Sequence, residues 1–419
     1  MQTQKKQSLI LPIAMFCVAA FFYLYEFLLR VSPNVLEKEL FQAFGMDARA
    51  FGVFTSCYYW SYAALQLPVG AWTDKYGPRR LLTFAVLLCA GSTYLLAMTE
   101  SFFLSCVCRF LIGAGSAFAF ISCLKIINIW FDAKWFPFLT GMTLAIGTLG
   151  AAVGGQPLSL ALHFYDWRSL LNIISGVGLV LGILSWLLVK DKNPIKKEQH
   201  SSNKRPKFFR CLLDVIKHPQ NWLVGLYAFF VTAPTDAFGG AWGVKFLTDV
   251  HGISRNDAST AAVTMTFIGM AIGSPLLGWM SGRLNSRKWP MLLSSISAAI
   301  FLTLIIYLPT LNGLGASLLF FCFGASATYV LAFVMIRRLT ASIYVATAVG
   351  FVNMMSMIGS SLLTYIIGWF LDVMRAGAVS ELGIPLYSIN AFHISLVVLP
   401  VFYTVSAFLV VPFIRDNKD

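Results

Sequence analysis

The chain has 419 residues, 58% of them hydrophobic and 12% charged, with a formal net charge of +13. Soluble domains carry about a quarter of their residues as charges, so a soluble globular chain and a disordered one are both excluded. The basic surplus lies in segments at alternate ends of long apolar runs, which reads as membrane topology and not as a nucleic-acid footprint.

Runs long enough to span a bilayer recur near 9–33, 51–73, 80–98, 101–131, 135–162, 167–189, 220–248, 256–281, 289–309, 313–337, 343–371 and 386–414. They predict an all-α membrane protein of twelve transmembrane helices in two six-helix halves. Residues 1–189 and 220–419 form the halves, and 190–219 a basic cytoplasmic linker. With both termini cytoplasmic, the inner segments hold the Lys/Arg surplus and the outer loops are net acidic, as the positive-inside rule requires. The expected location is therefore a cell membrane, the inner one in a bacterium. Lys5 and Lys6 precede an apolar run with no small-residue cleavage site, so the first span is read as a retained helix. Of the eight cysteines, all but Cys211 fall in apolar spans and read as small buried hydrophobes.

Helix 1 carries Glu26 and Arg30, four residues apart and so on one face, where they can neutralise each other. The loop after it, with Glu37, Lys38, Glu39 and Asp47, is expected to be amphipathic. Helix 2 brings Tyr58, Tyr59, Tyr62 and Gln66, then Pro68 as a kink. A charged turn follows, Gly70-Ala-Trp-Thr-Asp74-Lys75-Tyr-Gly77-Pro-Arg79-Arg80, with Gly77 placed for a left-handed residue. An echo stands at Gly278-Trp-Met-Ser-Gly282-Arg283-Leu-Asn285-Ser-Arg287-Lys288, with Asn285 in the left-handed place. Helix 4 has Arg109 followed by Gly113 and Gly115, then Lys125; its small residues let another helix approach closely. Helix 5 shows Gly147, Gly150, Gly154 and Gly155, read as a packing seam. In the linker, Phe208 to Val215 suggests an amphipathic surface turn. Helix 7 sets Pro234, Asp236, Gly239 and Gly240 in mid-span, with Lys245 beyond, which predicts a broken helix suited to a binding site. Helices 10 and 11 offer Tyr329 and Asn353.

The ionisable residues well inside spans are Glu26, Arg30, Arg109, Lys125, Asp236 and Lys245, on helices 1, 4 and 7. Each costs roughly 2.5–3.5 kcal/mol at mid-bilayer, so they are expected to face water or one another. The surplus of bases marks a site for an anion or a carboxylate-bearing zwitterion. Arg109 is the first choice to hold a carboxylate, because its planar fork binds bidentately. Arg30 and Lys125 come next, with Tyr59, Tyr329 and Asn353 as uncharged substrate contacts. Glu26 is the expected proton carrier; Asp236 either serves that role instead or pairs with Lys245 as a gate.

The turn after helix 2 resembles the loop signature of the major facilitator superfamily at Gly70, Asp74, Lys75, Gly77, Arg79 and Arg80, departing at Pro78. The echo, with Gly278 and Arg283, has Gly282 where the signature has Asp. The resemblance implies that Asp74, Lys75 and Arg80 latch helix ends together in one conformation. Arg109, Gly113 and Gly115 resemble the superfamily's helix 4 signature, and Asp166-Trp167-Arg168 its opening of helix 6. Helix 5 resembles the antiporter motif except at Ala151, where that motif has proline. At Tyr25, Arg30-Val-Ser-Pro33, Tyr59-Trp-Ser-Tyr62 and Gln66-Leu-Pro68-Val-Gly70, helices 1 and 2 look similar to the organic-anion symporter branch and to the phagosomal amino-acid transporters of intracellular proteobacteria. The family implies three-helix repeats within each half, with helices 1, 4, 7 and 10 lining a central cavity.

The expected function is proton-coupled uptake of a small carboxylate-bearing metabolite, an amino acid or an organic anion, by alternating access. An exporter or antiporter of drugs or of a siderophore-type carboxylate, and a non-transporting nutrient sensor, are the alternatives. No metal-spaced cluster, nucleophile elbow or P-loop points to an enzyme, a cofactor or ATP. The expected partners are the substrate, protons and the lipid bilayer, with no nucleic acid, and the expected state is a monomer.

Overall fold

The computed structural model describes residues 10–132, 135–191, 213, 215–284, 286–327, 329–340, 345–374 and 387–415. Where the even-numbered helices begin, the chain places a short polar side chain that accepts a bond from an otherwise unpaired N–H. Asp47, Ser101, Asp166, Ser254, Asn312 and Ser388 cap helices 2, 4, 6, 8, 10 and 12. Each such cap is worth about 1 kcal/mol. Helices 3, 5 and 7 begin at the opposite end with proline in the first turn, where a missing N–H costs nothing. The two kinds of start thus mark the two faces of the bundle. The end at which helix 6 finishes and helix 7 starts is called the linker face, and the other the distal face.

Twelve helical rods result among the described residues. Helices 1, 2 and 3 are Ile10–Val35, Ala48–Tyr76 and Pro78–Met98. Helix 4 is Phe102–Trp130, broken after Ser116, and helix 5 is Phe136–Val153 with Gln156–Ala161. Helix 6 is Trp167–Leu188. Helix 7 joins Pro219–Ala237, a π-helical turn Phe238–Trp242, and Gly243–His251. Helix 8 runs through Arg255–Ser259, a second π-turn Thr260–Met265, and Thr266–Arg283. Helices 9, 10 and 11 are Lys288–Tyr307, Gly313–Leu339 and Val345–Val373, and helix 12 is Ile389–Phe413. The amphipathic loop expected after helix 1 is the short helix Glu37–Phe44, which buries Glu37, Leu40 and Phe41.

Ten of these rods are long and apolar enough to cross a membrane. Helices 2 and 7 fall short, diluted by Ser56, Tyr58, Tyr59, Ser61, Tyr62 and Gln66 and by Thr232, Thr235 and Asp236. All of those side chains are buried, so the polarity points inward. Helix 1 packs on helix 5, 2 on 4, and 3 on 4 and 6; helix 7 packs on 11, 8 on 10, and 9 on 10 and 12. The neighbour pattern repeats with an offset of six helices. Helices 2 with 11, 5 with 8 and 1 with 7 close the seam between the two sets.

Close approach depends on missing side chains. A Cβ on Gly150 would lie 2.0 Å from the Leu24 carbonyl oxygen, and one on Gly113 2.1 Å from that of Tyr58. Gly113→Val forces helix 4 away from helix 2, at a cost of about 1–3 kcal/mol or more. The expected result is a lowered thermal midpoint and poor yield of folded protein, checked by a melting curve in detergent.

The turn at Gly77 differs from its expected form. Its φ of 81° is positive, but its ψ of 157° is extended instead of left-handed helical. The reason is Asp191, whose carboxylate accepts from the Arg79 N–H at 2.9 Å and would lie 2.4 Å from a Cβ at residue 77. Asn285 and residues 208–212 and 214, and with them most of the expected linker turn, lie outside the described residues.

Candidate functional site

The 3.6-residue period puts Glu26 and Arg30 on one face of helix 1, and Phe54, Tyr58, Tyr62 and Gln66 in a column along helix 2. The two rows meet in the core. Glu26 Oε1 accepts from Arg30 Nη2 at 2.5 Å, from Arg30 Nε at 3.1 Å and from Tyr58 Oη at 2.5 Å. The Arg30 guanidinium lies 4.3 Å from the Phe27 ring centroid and 5.2 Å from that of Tyr62. Glu26 is 0% exposed and Arg30 4%, so the pair is neutralised within the protein and not by solvent. Glu26 Oε2 has no hydrogen-bond partner among the described residues.

Arg109 enters the same cluster from helix 4 and differs in kind. It is 2% exposed, donates from Nη1 to the Leu29 carbonyl at 2.9 Å, and lies 4.9 Å from the Tyr58 ring and 5.5 Å from that of Phe54. Among the described residues its Nε has no hydrogen-bond partner and no carboxylate pairs with it. A buried charge without a counter-charge costs several kcal/mol. Ring faces and one carbonyl offset only part of that.

Helices 7 and 11 close the site from the other side of the seam. Asp236, 4% exposed, accepts from Ser360 Oγ at 2.7 Å. A Cβ at Gly240, in the break of helix 7, would lie 3.2 Å from Tyr59 Oη, so Tyr59 reaches across the seam. Asn353 donates to Gln66 Oε1 at 2.8 Å, while the buried Gln66 Nε2 has no partner among the described residues. Tyr329 stands where helix 10 is interrupted, partly buried against the main apolar core with its ring centroid 5.4 Å from that of Phe333. Glu26, Arg30 and Arg109 therefore meet at Tyr58, while Tyr59 and Gln66 of the same helix 2 reach Gly240 of helix 7 and Asn353 of helix 11 across the seam.

Two other residues named from sequence stand apart from this cluster. Lys245 pairs with Glu37 at 3.1 Å and Asp249 at 3.2 Å, so its pairing with Asp236 is not formed. Asp236 and Lys245 are nine residues apart on a helix with a π-turn between them, which leads them to different neighbours. Lys125 is half-buried beyond the break of helix 4, sixteen residues from Arg109, or about 24 Å along the helix.

At the linker face, Arg79 donates to the Trp186 carbonyl at 2.8 Å and lies 4.3 Å from the Trp186 ring, tying the turn to helix 6. Arg80 is exposed, and Arg283 lies 4.4 Å from the Trp279 ring. Gly70 and Gly278 have open space where a Cβ would stand. The side chains of Asp74 and Lys75 lie outside the described residues.

Sequence reasoning missed Asn34. It is wholly buried and donates from Nδ2 to the carbonyls of Gly239 (2.7 Å) and Phe238 (3.2 Å), while its Oδ1 accepts from the Val244 N–H at 3.1 Å. Its signal was an amide one turn past Arg30 on a helix whose partner was known to be broken.

A helical membrane bundle with buried charges gathered where two six-helix sets meet is the architecture of a small-solute transporter. The chain belongs to the Major Facilitator Superfamily, whose family model matches residues 13–364. It is 25% identical to a probable sulfoacetate transporter of Cupriavidus necator, over 42% of this chain and 40% of that protein. It is 23% identical to the hexuronate transporter of Bacillus subtilis, over 71% of this chain and 72% of that protein. The match to the first relative thus spans less than half of its length. Among solved structures, the chain resembles a bacterial homologue of the human lysosomal transporter Spinster in its inward-facing, unoccupied conformation. That likeness has a TM-score of 0.74 at 17% identity and covers 97% of both chains.

Proposed function

We propose that this transporter carries a small organic acid anion of the sugar-acid kind, together with protons, by alternating access. The carrying observation is Arg109, a fully buried guanidinium whose Nε has no partner and which pairs with no carboxylate among the described residues. An arriving carboxylate supplies the missing charge and takes charge-assisted bonds from the fork. Two of the relatives are named for anions, hexuronate and sulfoacetate, which agrees with that chemistry.

Arg30, Tyr59, Tyr329 and Asn353 complete the substrate contacts in this reading. The unpaired Gln66 Nε2 and the tyrosine hydroxyls suit the hydroxyl groups of a sugar acid. Lys125 serves as a second station nearer the linker face. Glu26 carries the proton: when neutral it no longer holds Arg30 by charge, and Arg30 is released towards the substrate or Asp236. Residues 1–189 and 220–419 are the rocking halves, and Gly70, Asp74, Lys75, Gly77, Arg79, Arg80, Gly278 and Arg283 form their hinge and latch. The protein acts as a monomer in a cell membrane with the linker in the cytoplasm.

The test is uptake by purified protein in liposomes, with labelled hexuronates, hexonates, short dicarboxylates and amino acids, each with and without an inward proton gradient. The reading predicts concentration of a sugar acid tenfold or more only when the gradient is imposed. Concentration of an amino acid and no organic acid contradicts the substrate class, and accumulation indifferent to the gradient contradicts the coupling.

A further inference from the structure

Residues 34–39 lie where helix 1 ends and the short helix Glu37–Phe44 begins, and they grip the second six helices by three separate contacts. The first is the Asn34 amide. It lies between the Gly239 carbonyl and the Val244 N–H, groups five residues apart, which is the spacing of a π-helical bond. The side chain thus satisfies the backbone that the π-turn takes out of the α pattern. The second is the Glu37 carboxylate on Lys245 at 3.1 Å, with the Lys245 ammonium 5.0 Å from the Phe41 ring. The third is Arg255, at the start of helix 8, whose guanidinium holds both oxygens of Glu39 and the Val35 carbonyl. No substrate contact is assigned to Asn34, Glu37, Glu39 or Arg255.

We propose that residues 34–39 form a clasp that holds the distal face closed, with Asn34 as a positioning residue that links the clasp to the site through helix 7. When the two sets of helices separate at this face, the amide leaves. Gly239 and Val244 must then bond to each other or to water, so opening repacks helix 7 in the turn after Asp236 and beside Tyr59. Breaking the two ion pairs has the same consequence without touching those backbone groups, because all three contacts are made or lost together.

Amide hydrogen exchange of the whole protein in lipid nanodiscs tests this without any substrate, so it succeeds or fails independently of the proposed cargo. Asn34→Ala is expected to speed exchange over 238–246 at least tenfold while the amides of helix 9 keep the wild-type rate. The double variant Glu37→Gln with Arg255→Gln is expected to speed the same segment at least threefold. Exchange over 238–246 at the wild-type rate in the double variant overturns the clasp, as does a rise spread evenly over the whole chain. If Asn34→Ala fails to fold, the double variant alone decides by the same criteria.

Discussion

Arg109→Gln is expected to lower kcat/KM for the transported anion roughly 30- to 1000-fold, with the fold intact. The estimate follows from truncating one partner of a buried, charge-assisted contact, which costs about 2–4 kcal/mol, at tenfold per 1.4 kcal/mol. Arg109 also donates to the Leu29 carbonyl, a charge-assisted bond that contributes about 1.5–3 kcal/mol to the bundle. Losing an uncompensated buried charge removes a cost as well, so the thermal midpoint should move little. Arg109→Lys keeps the charge and loses the fork, and roughly tenfold loss is expected from it. Initial uptake rates in liposomes, with a melting curve for each variant, check both. An Arg109→Gln protein that transports at the wild-type rate removes the carboxylate from Arg109.

The second large effect is at Glu26. Glutamine in its place can still accept from Arg30 and Tyr58, but it cannot bind or release a proton. Accumulation against a concentration gradient should disappear in Glu26→Gln, while exchange of labelled for unlabelled substrate continues within a few-fold of wild type. Asp236→Asn serves as the comparison, since its carboxylate is held by Ser360 on the other side of the seam. If gradient-driven accumulation survives in both variants, neither acid carries the proton.

The parts of this site that could be read from sequence are those made by local spacing. Glu26 and Arg30 are four apart on one helix, so their pairing was a matter of helical period alone. Pro234 with Gly239 and Gly240 announced a broken helix 7, and the small residues after Arg109 announced a close crossing, found where Gly113 meets the Tyr58 carbonyl. What could not be read were choices among distant partners. Lys245 had an acid nine residues upstream, yet it takes Glu37 from the short helix after helix 1. Asn34 has partners more than two hundred residues away, and Gln66 meets Asn353 across the seam. The extended ψ of Gly77 depends on Asp191 at the far end of helix 6. Helix starts were more legible than the apolar runs suggested, because the six polar caps precede the even-numbered helices in the sequence itself.

Direct binding, measured by titration calorimetry on the purified protein, tests most plainly whether a buried and unpaired guanidinium selects the cargo. A hexuronate is compared with the uncharged hexose of the same ring, on wild-type protein and on Arg109→Gln. The account predicts that the hexuronate binds at least a hundredfold more tightly to wild type and that the substitution removes most of that preference. Equal binding of the charged and uncharged sugars by the wild-type protein, or a preference unchanged by Arg109→Gln, contradicts it.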